Sequence, residues 1–139
     1  MSTRLFAMIF GIVFLAVGIL GFGVVPSLLE GHSASGSMME AEGLLFGLFH
    51  VNALHNIVHL LFGLWGLAAS RSASGAVGYF KVVAVIYALL AILGLIPQTQ
   101  AGFGDGLAHL VLGGYNVWLH AALAVVAAFF GWVNKPATA

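Results

Sequence analysis

Four long apolar stretches alternate with short polar ones along the chain: Leu5–Val25, Leu44–Ala69, Ala76–Ile96 and Leu107–Val133. A helix needs about 20 residues to cross the hydrocarbon core of a bilayer, and each stretch is that long. The pattern therefore predicts four membrane-spanning helices. The first stretch follows Arg4 and leads into Gly23-Val24-Val25-Pro26 rather than an A-x-A cleavage site. Its apolar run exceeds that of a secretion signal, so a retained helix is expected. Pro26 and Pro97 lie just past the ends of the first and third stretches, where proline stops a helix without breaking it.

Composition sharpens this picture. Of 139 residues, 62% are hydrophobic and 6% charged, against roughly 45–50% and 25% in globular domains. Lipid is the natural solvent for such a surface. The net charge is zero, so the basic face that nucleic-acid binding requires is missing. Without cysteine there are no disulfides, thiolate metal sites or thiol redox chemistry. Folding the chain back and forth four times puts Arg4, Arg71, Lys81 and Lys135 on one side and Glu30, Glu40, Glu42 and Asp105 on the other. Lysine and arginine are retained on the cytoplasmic side. Both termini and the link Ser70–Gly75 are therefore expected in the cytoplasm, and the loops 26–43 and 97–106 outside. The longer outer loop, rich in Gly and Ser, reads as flexible around a short segment at Met38–Glu42.

The two halves resemble each other. With Gly21 set over Gly94, Phe14 meets Tyr87, Gly11 meets Ala84 and Gly18 meets Ala91; with His59 set over His120, His55 meets Asn116 and Asn52 meets Gly113. Each half contributes two spans, so both enter the membrane in the same direction, which implies a pseudo-two-fold axis along the membrane normal. The expected fold is an all-α, integral membrane four-helix bundle made of two parallel two-helix repeats, a single membrane domain over residues 1–139. Lipid gives helices no hydrophobic drive to associate, so small residues must let the backbones approach. Gly11, Gly18 and Gly21, Gly63 and Gly66, Ala84, Ala88 and Ala91, and Ala124 and Ala127 supply candidate ridges.

Polar residues interrupt the second and fourth spans. In "GLFHVNALHNIVHLLFGLWG" the residues Asn52, His55, Asn56 and His59 fall on one helical face, with His50 nearly opposite. In the fourth span His109, Gly113, Asn116 and His120 form a similar stripe, and Tyr115 is placed to donate a hydrogen bond into it. An imidazole left unpaired in lipid costs several kcal/mol. Both stripes are therefore expected to face the bundle interior, with His59 and His120 level and opposed. Trp132 and Tyr79 suit a cytoplasmic aromatic belt.

Three uses of these residues stand side by side. Histidine and asparagine can act as interhelical glue, in a non-catalytic scaffold or accessory subunit of a larger membrane complex or a homo-oligomer. They can bind a cofactor: two histidines on facing helices are axial haem ligands, and one histidine can hold a chlorophyll magnesium. His59 and His120 are the preferred pair, with His55 and Asn116 beside them. His55 and His59, at i and i+4, can also share a metal ion, but neither cysteine nor carboxylate lies within the spans to complete a zinc site. Finally, the stripes can pass protons or small solutes, since histidine titrates near neutral pH. No Ser–His–Asp set, carboxylate pair or phosphate-cradling loop is present, and Gly102-Phe103-Gly104-Asp105-Gly106 has no strand before it and no G-K-[ST] after it. No enzymatic activity is expected.

The run Val51-Asn52-Ala53-Leu54-His55-Asn56-Ile57-Val58-His59-Leu60, with its echo Asn116-Val117-Trp118-Leu119-His120, resembles an uncharacterised four-helix bacterial membrane-protein family, domain of unknown function 4383. The resemblance covers nearly the whole chain; Tyr115 stands where that family often has an acidic residue. It implies a four-helix bundle in a bacterial inner membrane or a derived photosynthetic membrane, and no reaction. More distantly the layout resembles the DoxX-like four-helix proteins.

Overall fold

The computed structural model describes residues 1–31, 42–96 and 114–134. Its helices are α1 (Thr3–Leu20), α2 (Ala53–Ala69), α3 (Ala73–Gly94) and α4 (Tyr115–Ala128), the last continuing as a π-helical turn over Phe129–Val133. Three of them, Thr3–Leu20, Ala73–Gly94 and Tyr115–Val133, are long and apolar enough to cross a membrane; α2 is shorter but apolar. At about 1.5 Å per residue, its 17 residues span about 25 Å.

The ends of these helices correct the expected spans. α1 stops at Leu20 rather than Val25, because Gly21-Phe22-Gly23 turns the chain, with Gly23 at φ 75°, ahead of a 3-10 turn at Pro26–Leu28. α3 begins at Ala73, three residues early, because the Ser72 hydroxyl accepts a hydrogen bond from the Gly75 amide at 3.0 Å. The fourth helix is described from Tyr115; residues 107–113, the expected start of that span, lie outside the described residues.

The largest correction lies at the start of the second span. Residues expected to be helical form strands instead: β2 (Gly43–Leu45) and β3 (Phe49–Val51) join β1 (Leu29–Glu30) in an antiparallel sheet of order β1-β2-β3. Leu44 pairs with His50, and Leu29 with Leu45. Short apolar strands and buried helix share one hydropathy signature, and the backbone decides between them. Phe46 and Gly47 turn the hairpin with φ of 56° and 67°, the left-handed pair of a primed turn. A Cβ on Gly43 would sit 2.6 Å from the Glu30 carbonyl, so only glycine permits the β1–β2 approach. Leu29, Leu45 and Val51 form a small apolar cluster against Val17, Leu20 and Leu28.

Asn52 consequently caps α2 rather than lying along it. Its side chain accepts from the His55 amide at 2.8 Å. Asn52→Ala is expected to lower stability by about 1 kcal/mol, as N-cap losses do, read as a shift in the denaturation midpoint in detergent.

α1 packs most extensively on α2, and α3 on α4; α3 also touches α1 and α2, whereas α2 and α4 hardly meet. Glycines set the first contact. A Cβ on Gly11 would lie 2.9 Å from the Gly63 carbonyl, and one on Gly66 3.0 Å from the Gly11 Cα. The core is aromatic: Phe14 stacks on Tyr87 at 5.7 Å, and Phe130 on Phe6 at 4.3 Å. Tyr79, expected in a cytoplasmic aromatic belt, is fully buried, and its hydroxyl donates to the Phe62 carbonyl at 3.2 Å. The start of α1 and Asn134, just past the π-helical turn, meet at one end. There Asn134 donates to Thr3 Oγ1 at 2.9 Å, Arg4 donates to the Ser70 carbonyl at 2.9 Å, and the Lys81 ammonium lies 5.8 Å from the Trp132 ring centre. Lys135, Glu40 and Asp105, used to orient the chain, lie outside the described residues.

Candidate functional site

Because α2 and α4 are held apart by α3, a gap remains between them. It is a cavity of about 80 Å³ lined by His55, Val58, His59 and Phe62 from α2, Ile86, Tyr87 and Leu90 from α3, and His120 from α4. Helical spacing accounts for the lining: 55, 58, 59 and 62 form one stripe, and 86, 87 and 90 another. All three histidines are more than nine-tenths buried.

The rings are held mainly by packing. His55 and His59 stack at 4.0 Å, Phe14 meets His59 edge-on at 5.3 Å, and Tyr87 meets His120 at 5.3 Å and His59 at 6.5 Å. Tyr87 thus stands between the two histidines expected to oppose each other. Among the described residues, one ring nitrogen of the three has a fixed role. His59 Nδ1 lies 2.9 Å from the His55 carbonyl; a carbonyl only accepts, so Nδ1 carries the proton and Nε2 is a bare acceptor. Nδ1 of His55 and Nδ1 of His120 are buried, with no hydrogen-bond partner among the described residues.

The remaining predicted site residues scatter. Asn56 is fully buried but faces α1, where a Cβ on Gly21 would land on its amide oxygen. It leans toward His55 without reaching hydrogen-bond geometry. Asn116 is buried and donates from Nδ2 to the His50 carbonyl at 2.9 Å, tying α4 to β3. Asn116→Ala removes that tie and is expected to cost about 1 kcal/mol, the net worth of one hydrogen bond, checked by thermal unfolding against wild type. His50 itself points outward from β3. Tyr115 does not join the cluster: at the first turn of α4 it is 62% exposed. His109 lies outside the described residues.

The expected polar network is therefore two features, a three-histidine cavity and a set of backbone ties near the sheet. Tyr87 was missed as a site residue; its signal was a phenol inside an otherwise apolar stretch, at the position matching Phe14. No three described His, Asp or Glu side chains converge to hold a metal ion. Pockets for drug-sized ligands run to roughly 300–1,000 Å³, so a haem or chlorophyll ring does not fit this cavity of about 80 Å³ between the helices as they stand.

Residues 4–133 match the family described as domain of unknown function (DUF4383). No curated protein and no solved structure matches the chain.

Proposed function

The chain belongs to the family described as domain of unknown function (DUF4383), which covers it from Arg4 to Val133, and on that premise we propose that it is a non-catalytic, multi-pass membrane protein, an accessory subunit of a larger assembly or homo-oligomer. One observation carries the reading: large apolar side chains face outward along every helix, among them Ile12, Leu61, Leu89 and Val125. The compartment proposed is a bacterial inner membrane or a derived photosynthetic membrane. The joining of Arg4, Ser70 and Asn134 at one end supports placing both termini together in the cytoplasm. The burial of matched positions in both halves, Phe14 with Tyr87, Gly18 with Ala91 and His59 with His120, supports the two-repeat arrangement.

The test is native mass spectrometry of the protein released from its own membrane in lipid nanodiscs. A defined complex heavier than the 14.5 kDa chain is expected, and a lone monomer contradicts the subunit reading. A second reading, passage of small solutes or protons, is favoured by the histidine cavity. It predicts liposome flux that the pair His59→Ala and His120→Ala abolishes.

A further inference from the structure

We propose that the end of the molecule where α1 begins and α2 ends binds the phosphate of an anionic phospholipid, held between Arg4 and Arg71. The inference rests on the helices crossing a bilayer and does not depend on the subunit reading.

Charge separates along the bundle. The chain as a whole is neutral. Yet Arg4 and Arg71 share one end, and Lys81 lies on the same side beside Trp132. The described carboxylates, Glu30 on β1 and Glu42 just before β2, stand at the opposite end. The 18 residues of α1 put about 27 Å between the two ends, well beyond the screening length of about 8 Å at physiological salt. No described carboxylate therefore balances these cations, and they call for an anion from outside the chain.

Geometry selects a phosphate. Arg4 Nε donates to the Ser70 carbonyl at 2.9 Å. That bond holds the guanidinium in place, and the rest of its rigid fork of donors meets no acceptor among the described residues. Arg71 is exposed and follows Ser70 directly, about 3.8 Å along the chain. A second guanidinium thus stands within a side chain's reach of the first. Planar forks bind phosphate oxygens in pairs, as a lysine ammonium does not.

The surface beside the cations selects a lipid. Arg4, Met8 and Ile12 lie four residues apart on one stripe of α1, and all three are exposed. A headgroup at Arg4 lays its acyl chain along Met8 and Ile12. Free phosphate or an acidic protein segment makes no use of that stripe. A zwitterionic headgroup brings its own ammonium among the cations, so an anionic one is preferred.

The experiment is native mass spectrometry of the full chain in neutral detergent, titrated with phosphatidylglycerol or with phosphatidylcholine of the same acyl chains. Tighter retention of phosphatidylglycerol is expected. Arg71→Gln changes an exposed side chain and is expected to fold as wild type does. It is expected to weaken that retention roughly five-fold, the worth of one arginine near an anionic surface. Arg4→Gln is expected to do at least as much, and Arg4→Lys to recover only part of the loss, because the fork is gone. Lys81→Gln is expected to have a smaller effect than either arginine variant. The proposal is overturned if both lipids are held equally, or if Arg71→Gln retains phosphatidylglycerol as wild type does. It is also overturned if Lys81→Gln weakens retention as much as Arg71→Gln, which means diffuse attraction only, or if inorganic phosphate or a polyglutamate peptide at matched concentration displaces the lipid.

Discussion

Gly63→Leu is expected to force α1 and α2 apart, with a stability loss on the order of 3 kcal/mol, the upper end for overpacking against atoms that cannot rotate away. A Cβ at this position would lie 2.8 Å from the Leu15 amide nitrogen and 2.9 Å from the Gly11 carbonyl oxygen. Both are backbone, so relief requires moving a helix. The damage would spread further, because a Cβ on neighbouring Gly66 already has the Gly11 Cα and the Tyr79 ring within about 3.0 Å. Gly78 is the control: it is helical and exposed, with nothing within 4 Å of an added Cβ. Gly78→Leu is expected to leave the unfolding midpoint unchanged or raise it, since leucine favours helix over glycine. Native stability in Gly63→Leu would mean that the helices are farther apart than described.

Replacing His55 and His120 together by phenylalanine is expected to stabilise the protein by about 3 kcal/mol. A buried polar atom without a partner costs about 1–3 kcal/mol, and exchanging it for an apolar group of similar shape removes that cost. The planar contacts survive: phenylalanine at 55 can stack on His59, and at 120 it can meet Tyr87 edge-on, as the imidazoles do at 4.0 and 5.3 Å. Histidines acting as interhelical glue predict the opposite sign. The measurement is the unfolding midpoint of the double variant in the same lipid as wild type.

The sequence made the helices legible where apolar runs are long and bounded by their own signals. Ser72 and Gly75 mark the start of α3, and Gly21 and Pro26 the end of α1. It failed at residues 43–51, where Gly43 and Gly47 act through a close strand approach and a left-handed turn. Neither changes hydropathy, so "LLFGLFHV" from Leu44 onward reads as more helix. That error carried Asn52 into the wrong role, since a cap and a mid-helix residue look alike until the helix start is known. The inward turn of His55, His59 and His120 was legible from spacing and from the cost of polar atoms in lipid. Asn56 was read onto the same face, but its register at the α1 boundary sends it toward Gly21. Tyr115 went wrong because residues 115 and 116 lie about 100° apart on a helix. Only one of them can face inward, and it is Asn116 that does.

The central claim is that His120 from α4 and the two histidines of α2 share one enclosed space beside Tyr87. Proton-detected solid-state NMR of the protein in bilayers tests it most directly. Cross-peaks are expected from the His120 ring to Tyr87, with further contacts to the α2 residues that line the cavity, and none to acyl-chain methylenes. Strong acyl-chain cross-peaks at His120, with no contact to Tyr87, would contradict the account.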